Sequence, residues 1–326
     1  MNRVFPLFVG SGRSGTTLFR NVFDSHPQLA VTHEAHFVTA MARRRSRYEK
    51  PEGFDVDAFV RDLHANPNFL RQGIPEEAVR ADLAATPPGS YAGAVRAVFA
   101  LHAAAQGKPL YGDKTPGYVS HLALLGRLFP EARFVHIIRD GRDVALAYLD
   151  RSEWGPSTLA EAAINWRDRV SRGRKAGADL GQARYRETRY EDMIDDPEGT
   201  TLGLCDFLGL EYDETMLRYH ERGSEFIRST KHPAAFAGLA RPITKGMRDW
   251  RREMAPDDVA LFETVAGDLL ESLGYDLTGI GGGARARARA ATAEVAWQGR
   301  RVTARLGPKA RRLRSRLAAL TGRSGR

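Results

Sequence analysis

The stretch GSGRSGTT at residues 10–17 decides the fold, because it lies between an apolar run and a helical pattern. The apolar run, residues 4–9, predicts a buried strand, and residues 17–25 predict a helix. In a loop of this kind, successive backbone N–H groups and the helix N-terminus surround an anion. The stretch therefore predicts a phosphate-binding loop, with an anion-free glycine-rich turn as the alternative.

The loop has the spacing of a Walker A motif, with glycine at the first and sixth positions and threonine at the eighth. The seventh position, where that motif carries lysine, is Thr16. The missing lysine normally reaches the β- and γ-phosphates, so its absence argues against a nucleoside triphosphatase or an ordinary kinase. Arg13 supplies a cation inside the loop, and its planar guanidinium suits a terminal oxyanion group.

Strand and helix patterns alternate through most of the chain. Further strands are predicted at residues 29–31, 110–112, 134–138 and 184–190. Helices are predicted at 121–129 and from 143 to 149. Another helix is predicted to follow the strand at 184–190, to run through Phe207 and to close at Gly209. Residues 37–108 are predicted to be mostly helical, with breaks at Pro51, Pro67, Pro75, Pro87 and Pro88. This alternation predicts an α/β fold of the P-loop type, in three layers, with a mostly parallel central sheet and helices on both faces. Ligands of such sheets bind at the carboxyl ends of the strands.

The net charge of +9 is concentrated near the C-terminus. Residues 281–326 contain 13 lysines and arginines and one acid, whereas residues 1–280 hold 36 basic and 39 acidic side chains. We therefore predict a domain over residues 1–280 and, over 281–326, a basic linker followed by an amphipathic helix. Apolar residues recur there at helical steps: Val295, Val302, Leu306, Leu313, Leu317 and Leu320.

The basic tail leaves three interpretations open: a solvated arginine-rich segment, a helix on an anionic membrane surface, or a segment that binds nucleic acid or another partner. Within the third interpretation, nucleic acid is the less expected partner. The single cysteine, Cys205, excludes an internal disulfide and favours a reducing compartment. No apolar run approaches the length of a membrane span. We expect a cytoplasmic protein. If the tail binds an anionic membrane, the protein would also attach to the membrane surface.

Four motifs, in this order and at this spacing, resemble sulfotransferases that use 3′-phosphoadenosine 5′-phosphosulfate (PAPS), and most closely the tyrosylprotein and bacterial branch. The likeness covers roughly residues 4–277. The motifs are RSGTTL at 13–18 with His26-Pro27 and Glu34, GDKTP at 112–116, residues 129–143 ending in FVHIIRDGRD, and YED at 190–192 with Pro197 and FLG at 207–209.

The resemblance implies that the chain moves a sulfuryl group from PAPS to a hydroxyl acceptor, in line and with a general base. It places the 5′-phosphosulfate on Gly12, Arg13, Ser14, Gly15, Thr16 and Thr17, the 3′-phosphate on Arg139, the adenine on Tyr190, the general base at Glu34 and the bridging oxygen on Lys114. For Arg139, the sequence pattern independently supports a role in ligand binding. This arginine follows an apolar run and is expected to emerge at the ligand edge of the sheet.

Each assignment has a competing interpretation. Arg139 could form an ion pair with Asp140 or Asp143, and Tyr190 could belong to the core. Glu34 could be a helix cap or a surface carboxylate, with His33 or His36 as the rival base. Lys114 could be a solvated lysine at a strand end. The acidic Asp113 is expected to orient its neighbours.

The chain departs from the family pattern at Ala147, where a serine usually binds the 3′-phosphate. Arg241 and Lys245 are the candidates to compensate. We expect no metal, because a sulfuryl group carries less negative charge than a phosphoryl group and the histidines are scattered. A magnesium-binding role for Asp140 is the alternative.

The acceptor is a hydroxyl-bearing molecule whose identity the motifs leave open. Residues 37–108 and 210–246 are expected to wall its site, and the arginines at 43–45 and 47 either attract an acidic acceptor or form a solvated helix face. Two other functions compete with sulfuryl transfer: a P-loop kinase for a small molecule and a non-catalytic protein that binds through its basic tail. Thr16 and the motif around Lys114 argue against the kinase.

Overall fold

A computed structural model describes residues 4–150, 155–221, 237–243 and 249–300. Lys245 and the apolar positions from Val302 onward therefore lie outside the described residues. The central sheet has five parallel strands in the order β2-β5-β1-β6-β7, and a short hairpin, β3-β4, stands apart. The strands are β1 (Phe5–Gly10), β2 (Leu29–His33), β3 (Glu49–Lys50), β4 (Gly53–Phe54), β5 (Leu110–Lys114), β6 (Ala132–Ile138) and β7 (Tyr185–Arg189).

The helices connect the strands and continue after the last one. They are α1 (Thr16–Asp24), α2 (Phe37–Ala42), α3 (Val56–His64), α4 (Pro67–Leu70), α5 (Glu76–Ala85), α6 (Tyr91–Ala104), α7 (Leu122–Leu128), α8 (Gly141–Leu149), α9 (Leu159–Leu180), α10 (Tyr190–Asp195), α11 (Pro197–Leu208), α12 (Trp250–Glu253), α13 (Pro256–Ser272) and α14 (residues 284–300). Single 3₁₀ turns occur at Arg45–Arg47, Pro116–Ser120, Glu214–Arg218 and Ala237–Ala240.

The central strands are buried on both faces. In β1, Leu7 and Val9 belong to one apolar cluster while Phe8 belongs to another. The same alternation separates Phe134 from Val135 in β6. Because successive side chains of a strand point to opposite faces, the two clusters lie on opposite sides of the sheet. This arrangement confirms the predicted α/β fold with its parallel sheet.

The prolines between residues 37 and 108 begin helices as well as separating them. Pro67 is the first residue of α4, and Pro75 lies immediately before α5. Proline fits there because the first helical N–H groups have no partner within the helix. At the other end of a helix, Gly209 closes α11 with a φ of 68°, a left-handed conformation that favours glycine.

The chain divides into two compact units. The first comprises residues 1–139 and 169–248, and it contains the whole central sheet. The second comprises residues 140–168 and 249–326. The boundary predicted at residue 280 does not coincide with this division and stays a prediction.

Within the second unit, Arg142 is fully buried and surrounded by acceptors. Its guanidinium donates to Asp140 Oδ1 and Oδ2, to Glu263 Oε1 at 2.8 Å and to the carbonyl of Asp276 at 2.9 Å. It also lies 3.7 Å from the ring centroid of Trp250, whose indole N–H donates to Asp140. This cluster joins the start of α8 to α12, α13 and the segment after α13.

The alternating alanines and arginines of the tail form part of α14. Ion pairs link α14 to other parts of the second unit: Glu294 to Arg167 at 2.9 Å and Arg300 to Glu161 at 2.6 Å. The part of the tail from 284 to 300, predicted to begin with a basic linker, is therefore helical and is tied to the unit by ion pairs, although none of its residues is buried. Among the described residues, no helix is both long and apolar enough to cross a membrane.

Candidate active site

The loop between β1 and α1 has the backbone geometry of an anion-binding loop. Arg13 and Gly15 have φ angles of 68° and 79°, so the backbone N–H groups around them turn toward a common centre. The hydroxyls of Ser11 and Ser14 are buried, and neither has a hydrogen-bond partner within the described part of the chain. Buried hydroxyls of this kind require a partner, and a multiply charged oxyanion would supply one. The loop thus fits the 5′-phosphosulfate predicted for it.

Lys114, the last residue of β5, lies beside this loop. Its side chain is fully buried, and its ammonium group contacts three neighbours. It donates to Glu34 Oε1 at 3.0 Å and to Thr17 Oγ1 at 3.3 Å, and lies 3.2 Å from His33 Nε2. The register of the sheet explains the proximity, because β5 lies between β1 and β2, and His33 pairs with Lys114. The structure therefore brings together three predicted site residues, Thr17, Glu34 and Lys114.

The charges of this group are coupled. Burial opposes the ionisation of Glu34, but the Lys114 ammonium and a hydrogen bond from His36 outweigh it and lower the Glu34 pKa. Burial lowers the pKa of Lys114, although Glu34 counteracts this effect. Burial and then the Lys114 charge lower the pKa of His33 to about 3, so its ring is neutral near pH 7. The site thus holds an ionised carboxylate beside a buried lysine.

Glu34 adopts a conformation that is uncommon for its residue type. Its φ is 53°, and Arg13 is the other non-glycine residue with positive φ in the described ranges. Such left-handed residues cost about 1–3 kcal/mol each and concentrate at functional sites. Both belong to the predicted catalytic set. One oxygen of Glu34 faces Lys114, and the other lies 3.2 Å from Nε2 of His36, one of the rival bases.

Arg139 and Tyr190 form a second surface of the site. The guanidinium of Arg139 lies 4.6 Å from the ring centroid of Tyr190. The ring of Tyr190 in turn packs against the phosphate loop, where a Cβ on Gly15 would come within 2.2 Å of it. Arg139 follows β6 and Tyr190 follows β7, so both leave the sheet at the edge that carries the loop. The predicted nucleotide residues are therefore contiguous.

The remaining predicted residues are less informative. Arg241 is exposed, and its carbonyl accepts a hydrogen bond from the Tyr219 hydroxyl at 3.0 Å, so its role toward the nucleotide stays a prediction. Lys245 lies outside the described residues. Ala147 is in α8, in the second unit. Asp140 caps α8 and binds Arg142, which commits its carboxylate to the fold.

Two residues of the site were missed or undervalued by the sequence patterns. Asp113 accepts a hydrogen bond from the backbone N–H of Ala35, next to Glu34, and Tyr118 donates to the carbonyl of Ala35. Asp113 belongs to the GDKTP motif and was expected to orient its neighbours, whereas the only signal for Tyr118 was its closeness to that motif. Across the residues that the structure describes, there is no group of three or more histidine, cysteine or acidic side chains placed to hold a metal.

Comparison with known proteins gives a consistent result. A family model described as "Sulfotransferase family" matches residues 6–214. The chain is similar to the protein-tyrosine sulfotransferase A of Caenorhabditis elegans, with 22% identity over 283 residues that cover 84% of this chain and 68% of the relative. It is 24% identical to the protein-tyrosine sulfotransferase of Drosophila melanogaster, over 84% of this chain and 52%, about half, of that protein.

Among solved structures, the sulfotransferase domain from the curacin biosynthetic pathway superimposes with a TM-score of 0.58 at 19% sequence identity. The match covers 84% of this chain and 98% of that domain. At this identity the likeness supports the fold, and the family match supports the class of chemistry.

Proposed function

This chain belongs to the sulfotransferase family, and we propose that Lys114 and Glu34 form the reacting pair of its active site. The enzyme moves the sulfuryl group of PAPS to a hydroxyl acceptor. The observation that carries the proposal is the 3.0 Å contact between Lys114 Nζ and Glu34 Oε1 beside the phosphate loop. Family membership favours this activity over the kinase and the non-catalytic alternatives.

The phosphate loop would hold the 5′-phosphosulfate through its backbone N–H groups, the Ser11 and Ser14 hydroxyls and the Arg13 guanidinium. Arg139 and Tyr190 would bind the adenosine 3′-phosphate end, the former by charge and the latter by its ring face. When bound, PAPS supplies an activated sulfuryl group and a phosphate leaving group. The chain's own contribution is to orient these groups and to stabilise charge, as in phosphoryl transfer.

Lys114 provides a buried positive charge where negative charge accumulates on the leaving phosphate. A cation held in a site of low dielectric stabilises such charge strongly, because it does not have to reorganise during the reaction. Glu34 would take the proton of the acceptor hydroxyl on a carboxylate oxygen. The carboxylate is ionised near neutral pH, as a general base must be, while its lowered pKa makes it a weaker base than an unpaired glutamate.

We propose that the acceptor is a tyrosine hydroxyl in a peptide with acidic flanking residues. The named function of the relatives supports the tyrosine, and the surface near α2 supports the acidic flanks. Arg43 and Arg44 are exposed and form no ion pair within the described ranges, whereas Arg45 and Arg47 face Glu49 and Asp62. The pKa of His121 is lowered mainly by burial, and the nearby charges of Arg43 and Arg169 add to the effect.

The acceptor is tested with ³⁵S-labelled PAPS and three synthetic peptides. One carries a single tyrosine between aspartates, the second has lysines in place of the aspartates, and the third has serine in place of the tyrosine. We expect label on the first peptide, little on the second and none on the third. Labelling of the serine peptide, or of none while a carbohydrate or phenol is labelled, would refute the tyrosine proposal but not the sulfotransferase activity.

We further propose a cytoplasmic location and peripheral attachment of the tail to anionic membranes. The single buried cysteine and the charge of residues 281–326 support these proposals. Because ion pairs tie α14 to the second unit, the informative truncation ends at Arg300. We expect the full chain, and not residues 1–300, to co-sediment with vesicles of anionic phospholipid at low salt. Absence of the full chain from the vesicle pellet would remove the membrane proposal.

A further inference from the structure

The backbone around Glu34 is held in place by hydrogen bonds from both sides. Its own N–H donates to the carbonyl of Lys114 at 2.8 Å, which continues the pairing of β2 with β5 by one residue. Its φ of 53° then turns the chain out of the sheet. A non-glycine residue keeps such a conformation only when its surroundings over-determine it. The residues that impose this conformation therefore matter for where the carboxylate points.

The two peptide groups on either side of the Ala35 Cα supply the constraint. The N–H of Ala35 donates to Asp113 Oδ1 at 3.1 Å, and the carbonyl of Ala35 accepts from the Tyr118 hydroxyl. Asp113 and Tyr118 are 0% and 2% exposed, so water does not compete for these bonds. With its donor and its acceptor both bound by buried side chains, Ala35 cannot rotate without breaking a buried hydrogen bond.

Both side chains are themselves anchored. Asp113 Oδ1 also accepts from the Thr32 hydroxyl at 2.7 Å, across the β2–β5 ladder where Thr32 and Asp113 are register partners. Tyr118 lies in the 3₁₀ turn that follows β5, and its N–H bonds to the carbonyl of Thr115 at 3.0 Å. The two groups that fix Ala35 and the cation that meets Glu34 thus belong to one continuous segment, residues 113–118.

We propose that Asp113 and Tyr118 are positioning residues that clamp Ala35 and thereby aim the Glu34 carboxylate at Lys114 and the acceptor. This inference rests on the proposed role of Glu34 as the general base. Neither side chain contacts the reacting atoms in this account. Their contribution is geometric, and a displacement of about 1 Å in a reacting group can cost about 10²-fold in rate.

The first test is Tyr118→Phe, which removes one hydroxyl and keeps the ring. Tyr91→Phe is the matched control, because the Tyr91 hydroxyl also donates to a buried backbone carbonyl, that of Val38, at 2.7 Å. We expect Tyr118→Phe to lower kcat by about tenfold or more, with unchanged affinity for adenosine 3′,5′-bisphosphate. Tyr91→Phe should leave kcat within about twofold of wild type. Equal kcat in both variants would overturn the proposal.

A second pair of variants separates the acceptor oxygen of Asp113 from its charge. Asp113→Asn keeps an oxygen for the Ala35 N–H, so it should retain most of kcat, whereas Asp113→Ala should lose about as much as Tyr118→Phe or more. Crystal structures of Tyr118→Phe and Asp113→Ala would show the conformation of Glu34 directly, without the need for an acceptor substrate. The φ of Glu34 should leave the left-handed region, or its contact with Lys114 should lengthen beyond 4 Å. An unchanged Glu34 in both structures would contradict the clamp.

A double-mutant cycle shows whether Tyr118 acts through Glu34. In a Glu34→Gln background, Tyr118→Phe should change kcat by no more than about twofold, because the group that it positions has lost its function. The same loss in both backgrounds would show that Tyr118 acts on something else and would overturn the inference alone. A Glu34→Gln enzyme of normal kcat would overturn the general-base proposal, and the clamp with it.

Discussion

Two fully buried cations, Lys114 and Arg142, have opposite kinds of surroundings. Arg142 donates to two carboxylates and a carbonyl and packs against an indole, and its partners Asp140 and Glu263 are themselves 7% and 9% exposed. Lys114 faces a hydroxyl, a neutral imidazole and one carboxylate that is 36% exposed. The first cation is enclosed by its partners, whereas the second has a partner that solvent reaches.

The difference separates a structural ion cluster from a reactive one. Removing one member of an enclosed cluster leaves an uncompensated buried charge, which costs about 3–5 kcal/mol of stability. Removing Lys114 leaves Glu34, which water can solvate, so the fold loses little. The same substitution removes the charge that stabilises the leaving group. The burial of a lysine or arginine side chain therefore does not by itself identify a catalytic cation. Solvent exposure of the carboxylate that pairs with it is the more useful indication.

The largest expected effect is that of Lys114→Met on transfer. We expect turnover to fall about 10³-fold, because a preorganised charge at the developing oxyanion is lost, while stability changes by less than about 1 kcal/mol. Turnover is measured with labelled PAPS, and the free energy of unfolding by urea titration. A variant that keeps its turnover, or that unfolds as readily as an Arg142 variant, would erase the distinction between the two cations.

Arg142→Met should show the reverse pattern. Asp140 and Glu263 would remain buried without a cation, so we expect a loss of about 3–5 kcal/mol in the free energy of unfolding. Arg167→Met is the matched control in the same unit, because Arg167 is 30% exposed and bridges Asp168 and Glu294 near the surface. It should cost about 1 kcal/mol or less. Equal losses in the two variants would show that burial of the cluster is energetically unimportant.

Glu34→Gln tests the solvent-accessible partner of Lys114. The amide cannot take a proton, so turnover should fall by about 10² or more, while affinity for PAPS barely changes. Single-turnover transfer and equilibrium binding separate the two quantities. Normal turnover in Glu34→Gln, together with inactive His33→Ala or His36→Ala, would move the general base to a histidine.

Arg139→Ala should weaken nucleotide binding rather than stability, and its effect should be selective. We expect nucleotide binding to weaken by about 1.5–3 kcal/mol, the range for a hydrogen bond to a charged group. The loss should be much smaller for adenosine 5′-phosphosulfate, which lacks the 3′-phosphate. Calorimetric titration with both nucleotides checks this, and equal losses would assign Arg139 a role other than 3′-phosphate binding.

The strands were the most predictable part of the fold. The five strands of the central sheet were predicted close to their observed positions. For β1, β2 and β6 the signal was a short, largely apolar run, whereas β5 and β7, LYGDK and YRETR, are largely polar. The α/β class followed from their alternation with helices, and the closing Gly209 from its residue type. The spatial order β2-β5-β1-β6-β7 required the structure, since local patterns carry no information about which strands are neighbours.

In the site, the motif residues could be predicted but their geometry could not. The positive φ of Glu34 has no local signature, because glutamate rarely adopts it and long-range bonds to residues 113–118 impose it. The Arg142 cluster was also hidden, since its partner Glu263 is 121 residues away in sequence. The alanine–arginine repeat of the tail was expected to be a linker, but it is helical, and an ion pair that composition alone does not specify ties the same helix to Arg167.

The most direct test of the account is thermal unfolding of the full chain in three solutions: buffer with EDTA, the same buffer with adenosine 3′,5′-bisphosphate, and buffer with ATP and Mg²⁺. A ligand at about 100 times its Kd stabilises the fold by about 2.7 kcal/mol. The phosphate loop without a Walker lysine predicts a clear rise in Tm with the bisphosphate in EDTA and none with ATP and Mg²⁺. A rise with ATP and Mg²⁺ alone would contradict the metal-independent PAPS site.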